Sequence, residues 1–513
     1  MIRVERSWTQ TKQQLRFIER IADLLDDEHR RVQDELLAVL AMKLSLAQTE
    51  INKIAKKTER EQLYLSFVKV WRGKYVMQRV ALNTIVSDLE EWQRRFDPSW
   101  FLIMLVANPA IDQQLAAQRS EHEQEHSGGL SQGEGSKSTA ASTPSTRDEE
   151  QSHLALATNV REALRPAPRQ HISIFLPMLE VRRIDIPFSN VQAAQRGEQW
   201  FIIERYTCQA GRSLSAQNND VRRLARKLAS VDPWTFGLLN CKGVIKVVDE
   251  QRGQIGSFDF VFRVPKLKDT IQSLRQNLLS GELHYSLTRR MFMAKELAKS
   301  VGYVHNLNFV HKHICPETIL LFQDLESRFS TFLVGFDNFR ETDGGTNLIG
   351  DATWERNLYR HPSRQGEFPE EEFKMQHDVY SLGVCLLEIG LWESFVSYSS
   401  DLKPKPQYGE PYLQFTKWLE GAGEIESAEL VGSPRYQNIL APMLKGYFVH
   451  LAKTKLPIVM GDKYSDVVVT CLTCLDKDNE DFGDEDELVD ERGVLVAVRF
   501  METILQKLNE ISV

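Results

Sequence analysis

The chain has 513 residues, of which 42% are hydrophobic and 26% charged, the composition of an ordinary globular protein. This composition argues against collagen-like, wholly disordered and disulfide-scaffold classes. The net charge of −8 argues against a dedicated nucleic-acid binder, which usually carries a basic surplus. At roughly 150 residues per domain, the length predicts about two to four domains.

The first residues are charged and lack the apolar core of a signal peptide, and the six cysteines are scattered. The longest strongly apolar run, Trp100 to Ala107, is much shorter than the roughly 20 residues that span a bilayer. We therefore expect a cytoplasmic protein with free thiols and no constitutive transmembrane segment.

Residues 1–115 are predicted to form a helical bundle. They contain one glycine, and apolar residues recur at helical spacing, as in the series Leu15, Ile18, Ile21 and Leu25. Several helices that each bury one face imply a bundle. The run from Trp100 onwards is predicted to be a short buried helix, with a membrane-inserting element as the alternative.

Residues 116–170 are predicted to be a flexible linker. Serine, threonine, glycine and proline fill 14 of the 20 positions from 127 to 146. Such a segment has too few apolar side chains to offset the entropy of ordering.

The composition changes again after residue 170. Residues 171–267 are predicted to form a small α/β region, and residues 268–513 a larger helical region. The predicted strands are rich in β-branched and aromatic residues: His171–Leu179, Gln199–Tyr206, Val244–Val248 and Phe258–Val264. A helix is predicted between them, at Val221–Leu228.

Four segments of the helical region have an order and spacing similar to the large lobe of protein kinases. They are His311-Lys312-His313-Ile314-Cys315-Pro316-Glu317-Thr318, Gly335-Phe336-Asp337, Tyr359-Arg360-His361-Pro362, and the segment from Asp378 to Glu388. The resemblance implies a bilobal α+β protein-kinase-like fold over roughly 171–513. It also implies a structural role for Asp378 and Gly383, with Asp378 accepting backbone N–H bonds from the catalytic loop.

The resemblance also shows which catalytic groups have been replaced. The kinase catalytic loop reads His-Arg-Asp-Leu-x-x-x-Asn, and here His311 and Lys312 begin a degenerate copy. His313 takes the place of the aspartate that accepts the substrate proton, and Thr318 that of the metal-holding asparagine. The magnesium aspartate is replaced by glycine in Gly335-Phe336-Asp337, so Asp337 comes two residues late.

The small lobe also lacks its charged set. No Gly-x-Gly-x-x-Gly lies between two strands, and Val221–Leu228 contains no acidic residue. On the strand that would carry the ATP-binding lysine, Arg205 is the nearest basic residue, and arginine is a poor replacement there. Arg205 and Asp337 are therefore the two candidate nucleotide-binding residues, and we predict a pseudokinase with no catalytic residues, no cofactor and no metal. Binding of ATP with magnesium stays open as an alternative.

The front of the chain resembles the HeLo-like (prion-inhibition and propagation type) helical domain of filamentous fungi, through Leu89-Glu90-Glu91-Trp92-Gln93-Arg94-Arg95-Phe96-Asp97-Pro98-Ser99-Trp100-Phe101. The overall prediction is an α-helical bundle and a kinase-like fold joined by a disordered linker. The resemblance implies a signalling protein in which the kinase-like lobe controls a helical effector in fungal cell death or incompatibility.

Two other functions remain open, an atypical ATP-binding Ser/Thr kinase and a non-enzymatic interaction scaffold. The expected partners are proteins or further copies that bind through the bundle, with no nucleic acid and with a membrane only on activation.

Overall fold

The computed structural model describes residues 2–25, most of 30–49, residues 100, 103, 108–117 and 153–164, and residues 174–511 with gaps. The longest of these gaps are 342–349, 422–436 and 483–493. The chain divides into two compact units, Met1–Thr158 and Asn159–Val513.

The first unit begins with helix α1, Ile2–Ile21, which is followed by a 3₁₀ turn, Ala22–Leu24. Phe17, Ile18 and Ile21 are buried, as the helical spacing predicts. The ring of Phe17 meets that of Trp100 edge-to-face at 5.4 Å, so the start of the apolar run at residue 100 is buried. Residues 51–99, with most of the predicted bundle, lie outside the described residues.

Part of the predicted linker is helical. Helix α2 runs from His153 to Leu164 and buries Leu156, Ala157 and Val160. The prediction of a linker over all of 116–170 is therefore wrong for this stretch. Its apolar residues have the three- and four-residue spacing of a helix face, which the composition of the preceding glycine- and serine-rich segment obscures.

A six-stranded mixed sheet forms the first part of the second unit, with strand order β1-β5-β6-β4-β3-β2. The strands are β1 Phe175–Leu176, β2 Arg182–Asp185, β3 Val191–Arg196, β4 Gln199–Thr207, β5 Cys241–Asp249 and β6 Gln254–Arg263. Strands β4, β5 and β6 confirm three predicted strands, whereas β2 and β3 are new. Helix α3, Leu214–Ala229, packs against β5 and β6, and a short helix α4, Pro233–Phe236, follows it.

The two faces of this sheet carry different sets of side chains. One face carries an apolar cluster of Ala194, Phe201, Ile203, Ile245 and Val261. Because side chains alternate along a strand, the residues between these on β4 lie on the opposite face.

The rest of the second unit is mainly helical. Its helices are α5 Leu274–Leu279, α6 Leu287–Asn306, α7 Trp354–Asn357, α8 Met375–Leu391, α9 Glu410–Gly421, α10 Gln437–Thr454, α11 Leu456–Met460, α12 Asp462–Thr473, α13 Val494–Phe500 and α14 Lys507–Asn509. A π-helical turn, Met501–Gln506, joins the last two. Short strands complete it: β7 Thr270–Ser273, β8 Phe309–Val310, β9 Ile319–Gln323, β10 Phe329–Leu333, β11 Arg340–Glu341, β12 Val396–Tyr398 and β13 Pro406–Tyr408.

We refer to residues 174–265 as the sheet part and to residues 270–511 as the helical part. This mixed architecture is compatible with a bilobal kinase-like fold. Among the helices of the described residues, none is long and apolar enough to cross a membrane.

Helix α8 lies at the centre of the helical part, and every residue from Met375 to Gly390 is buried. At Gly383 the helix crosses α12 so closely that an added Cβ would lie 2.8 Å from Cys471 Cβ and 3.2 Å from Leu472 N. Gly383 therefore allows two core helices to touch through their backbones.

We expect Gly383→Ala to lower the free energy of unfolding by about 2 kcal/mol, because the added methyl group forces α8 and α12 apart. The matched control is Gly446→Ala in α10, where an added Cβ meets nothing within 4 Å. That change should stabilise the protein by up to about 1 kcal/mol, since alanine favours a helix. Denaturant unfolding of both variants measures the two changes in the free energy of unfolding. A Gly383→Ala variant as stable as the parent would contradict the close crossing.

Candidate functional site

The loop from His311 to Thr318 corresponds to the predicted catalytic loop. It follows β8 and ends in a 3₁₀ turn, Pro316–Thr318, just before β9. The Asp378 carboxylate, near the start of α8, accepts the backbone N–H of His311 at 2.7 Å and that of Lys312 at 2.9 Å. His305 Nε2 lies 3.3 Å from the same carboxylate. Asp378 thus fixes the loop through its backbone.

This anchoring also holds an unusual backbone conformation. Lys312 has a φ of +66°, in the left-handed region that residues with a Cβ seldom adopt. The hydrogen bond from its N–H to Asp378 compensates for part of that strain.

The two replaced positions of the loop, His313 and Thr318, take part in hydrogen bonds within the loop. Thr318 is buried, and its Oγ1 accepts the N–H of Cys315 at 3.2 Å. The same hydroxyl lies 2.9 Å from the carbonyl oxygens of His313 and Cys315, to either of which it donates. His313 is itself only 7% exposed. Thr318 therefore points back into the loop, where a metal-holding side chain would have to point outwards.

The position that corresponds to the magnesium aspartate has no room for a side chain. Gly335 has a φ of +94°, and an added Cβ would lie 2.3 Å from Thr318 Cγ2 and 2.8 Å from Thr318 Cβ. No side chain fits there unless Thr318 moves. The neighbouring Phe336 packs its ring 4.7 Å from that of His311, and Asp337 lies outside the described residues.

A buried glutamate faces this glycine from the sheet part. Glu204, on β4, is 2% exposed, and its Oε2 accepts the N–H of Gly335 at 3.0 Å. The Glu204 side chain therefore points towards the loop region, so a carboxyl group lies where the resemblance implies a phosphate-binding lysine. Sequence reasoning missed this residue.

Arg205, the other candidate nucleotide-binding residue, lies on the opposite face of the sheet from Glu204. Its guanidinium binds Asp259 at 2.8 and 3.0 Å, and Arg183 binds the same carboxylate at 2.8 Å. Burial raises the pKa of Asp259, but the hydrogen bonds from Arg205 and Arg183 outweigh it, so the pKa is lowered overall. Arg205 belongs to a structural ion pair across β4 and β6.

A second missed group is a buried arginine with two glutamates. Arg275, on α5, is fully buried and pairs with Glu317 at 3.0 Å and with Glu388 at 3.1 Å. Tyr359 donates its hydroxyl to Glu388 at 2.8 Å, and Tyr398 donates to Glu317 at 3.2 Å. The loop and the end of α8 are therefore joined through one guanidinium.

The two carboxylates respond differently to this guanidinium. Burial raises the pKa of Glu317, but the charge of Arg275 outweighs it and the pKa is lowered overall. Burial also raises the pKa of Glu388, and there Arg275 offsets only part of the rise. One positive charge between two carboxylates cannot fully neutralise both, and Glu388 is the more deeply buried of the two.

Comparison with known proteins supports a kinase-like region. Over 149 residues, or 29% of the chain, the sequence is 26% identical to the testis-specific serine/threonine-protein kinase 2 of Mus musculus. The matched segment spans 39% of that kinase, so the chain covers less than half of its relative's length. No protein-family model matches the chain.

We expect Asp378→Ala to lower the free energy of unfolding by about 3 kcal/mol, because two buried N–H groups lose their acceptor. Asp378→Asn keeps one acceptor oxygen and should lose less. Asp466→Ala, at an exposed acid of α12, is the control and should stay within about 0.5 kcal/mol of the parent. Denaturant unfolding gives the three values, and equal losses for Asp378→Ala and Asp466→Ala would refute the anchoring role.

We expect Gly335→Ala to destabilise the protein by about 3 kcal/mol, because strain at positive φ adds to the overlap with Thr318. Gly253→Ala separates the two effects, since Gly253 has a φ of +61° and open space around it. That control should lose only about 1 kcal/mol. Thermal unfolding of the pair tests the difference, and similar losses would mean that no steric closure exists.

Proposed function

We propose that residues 171–513 form a kinase-like domain that transfers no phosphate and acts as a signalling or regulatory module. The observation that carries the proposal is the contact of Glu204 with Gly335. It puts a buried carboxylate at the place of a phosphate-binding lysine, against a backbone position that has no room for a magnesium ligand.

The electrostatic reason is direct. Phosphoryl transfer depends on positioning and on neutralising the negative charge of the phosphates. Glu204 supplies no positive charge to offset the negative charge of the phosphates, which is the role of the lysine in an active kinase. The reaction uses a carboxylate at the position of His313 and an amide at the position of Thr318, and neither side chain supplies that group.

We further propose that this domain controls the N-terminal region, residues 1–115, as a HeLo-like effector in fungal cell death or incompatibility. The support is the resemblance of residues 89–101 to that domain. In this proposal the bundle binds protein partners or other copies of the chain. The protein resides in the cytoplasm and is recruited to membranes only on activation, and it uses no nucleotide cofactor, metal or nucleic acid.

An atypical Ser/Thr kinase is the second candidate. The similarity to a serine/threonine-protein kinase favours it, and so does the presence of Asp337 two residues after Gly335. In that case Asp337 would take over the magnesium ion. A non-enzymatic scaffold without a cell-death role is a third reading of the same residues.

We expect the purified full-length chain to incorporate no radiolabel from γ-labelled ATP with magnesium, into itself or into a generic protein substrate. Incorporation that disappears in Asp337→Ala but persists in Asp466→Ala would contradict the proposal and support the atypical kinase. Incorporation that both variants retain would point to a contaminating kinase, and its removal by further purification restores the expected result.

Thermal unfolding with ATP provides a second measurement. A ligand at a hundred times its Kd stabilises a protein by about 2.7 kcal/mol. We expect millimolar ATP to leave the unfolding temperature unchanged, with or without magnesium. A rise that requires magnesium would contradict the absence of a nucleotide site.

A further inference from the structure

The turn between β2 and β3 lies where a kinase would have its glycine-rich loop, and it consists of Ile186-Pro187-Phe188-Ser189-Asn190. We name this segment the 186–190 turn. It contains no glycine, so it lacks the exposed backbone that lets such loops approach phosphates. The N–H of Ser189 donates to the carbonyl oxygen of Ile186 at 3.1 Å and closes the turn.

The 186–190 turn contacts the helical part at three places. The hydroxyl of Ser189 donates to the carbonyl oxygen of Glu317 at 2.7 Å, within the 311–318 loop. The ring of Phe188 lies 4.6 Å from that of Tyr398. The carbonyl oxygen of Pro187 accepts the hydroxyl of Ser273 at 2.7 Å.

The residues that the turn contacts are themselves held by other side chains. Glu317 is held by the buried Arg275, and Tyr398 both packs its ring against that of Phe188 and donates to Glu317. The turn therefore rests on groups that have few alternative positions.

The backbone of the turn is constrained by this docking. Phe188 has a φ of +52°, in the left-handed region that is unfavourable for a bulky side chain. Such a conformation persists only where surrounding contacts determine it. Here the contact of the Phe188 ring with Tyr398 holds the residue in this conformation.

Two other elements of the sheet part also reach across the cleft. From α3, the buried Lys227 donates to the carbonyl oxygen of Leu307 at 2.9 Å, and its Nζ lies 4.0 Å from the centre of the Phe309 ring. From β4, Glu204 accepts the N–H of Gly335. The 186–190 turn, α3 and β4 thus each have their own contact with the helical part.

We propose that the 186–190 turn is a built-in lid, seated on the 311–318 loop, and that the chain holds its cleft closed without any ligand. Lys227 and Glu204 fix the two parts, and Phe188 and Ser189 seat the lid. The lid makes two hydrogen bonds and one ring contact. We expect it to be the most easily released of these contacts, because residues 187–189 are exposed or partly exposed whereas Lys227 and Glu204 are buried. An activating partner would have to displace it to reach the 311–318 loop.

Hydrogen exchange followed by mass spectrometry tests the lid on the full-length chain without ligand. The variants are Ser189→Ala, which removes the hydroxyl, and Phe188→Gly with Ser189→Ala, which also removes the ring and relieves the positive φ. We expect exchange in segments 186–191 and 311–318 to be about fivefold faster in the single variant and at least tenfold faster in the double variant. Phe292→Ala, at an exposed ring of α6, is the control and should leave both segments unchanged.

Several outcomes decide the proposal. Faster exchange confined to these two segments, with an unchanged unfolding temperature, supports the lid. Unchanged exchange in both variants overturns it. If the double variant is unfolded, the single variant decides alone, since loss of one hydroxyl leaves the fold intact. The phosphate-transfer experiment is independent, so a failed lid and an active kinase give different results.

Discussion

The hydrogen bonds from the 311–318 loop to the Asp378 carboxylate are the interaction on which the rest of the site depends. They fix the backbone of His311 and Lys312 on helix α8, in which every residue from Met375 to Gly390 is buried. Once the loop is fixed, Thr318 can close its own turn against Gly335. The resemblance to kinases survives at this point because the aspartate acts on backbone groups, whereas every replaced group acted through its side chain on a ligand.

The buried charged side chains Arg275 and Asp259 form ion pairs with other residues of the protein. Arg275 links the loop to the end of α8 through two glutamates, and Asp259 links two arginines across the sheet. The Arg275–Glu388 pair is fully buried, and such a pair contributes little net stability, because desolvation offsets attraction, but removing one partner is costly. We therefore interpret these ion pairs as interactions that specify the relative positions of loop, helices and strands.

The sequence predicted the elements with strong periodicity and missed the weak ones. Strands β4, β5 and β6 are rich in aromatic and β-branched residues and were recognised. Strands β2 and β3 were missed, because Arg182–Asp185 and Val191–Arg196 are largely polar or small and are held by pairing with their neighbours. The helix at His153–Leu164 was missed because the low-complexity segment before it dominated the composition. The same limitation led to the choice of Arg205, since basic character was visible in the sequence and strand register was not.

The sequence by itself determined the order of the kinase-like segments and the replacement of two aspartates, at 313 and 335, and of one asparagine, at 318. The resemblance to kinases also implied the structural role of Asp378. Only the tertiary structure decided that Glu204 and not Arg205 faces the loop, that Gly335 has no room for a side chain, and that the 186–190 turn rests on Glu317. The reason is physical: side chains alternate along a strand, so a shift of one residue reverses the face, and steric closure depends on residues far apart in the chain.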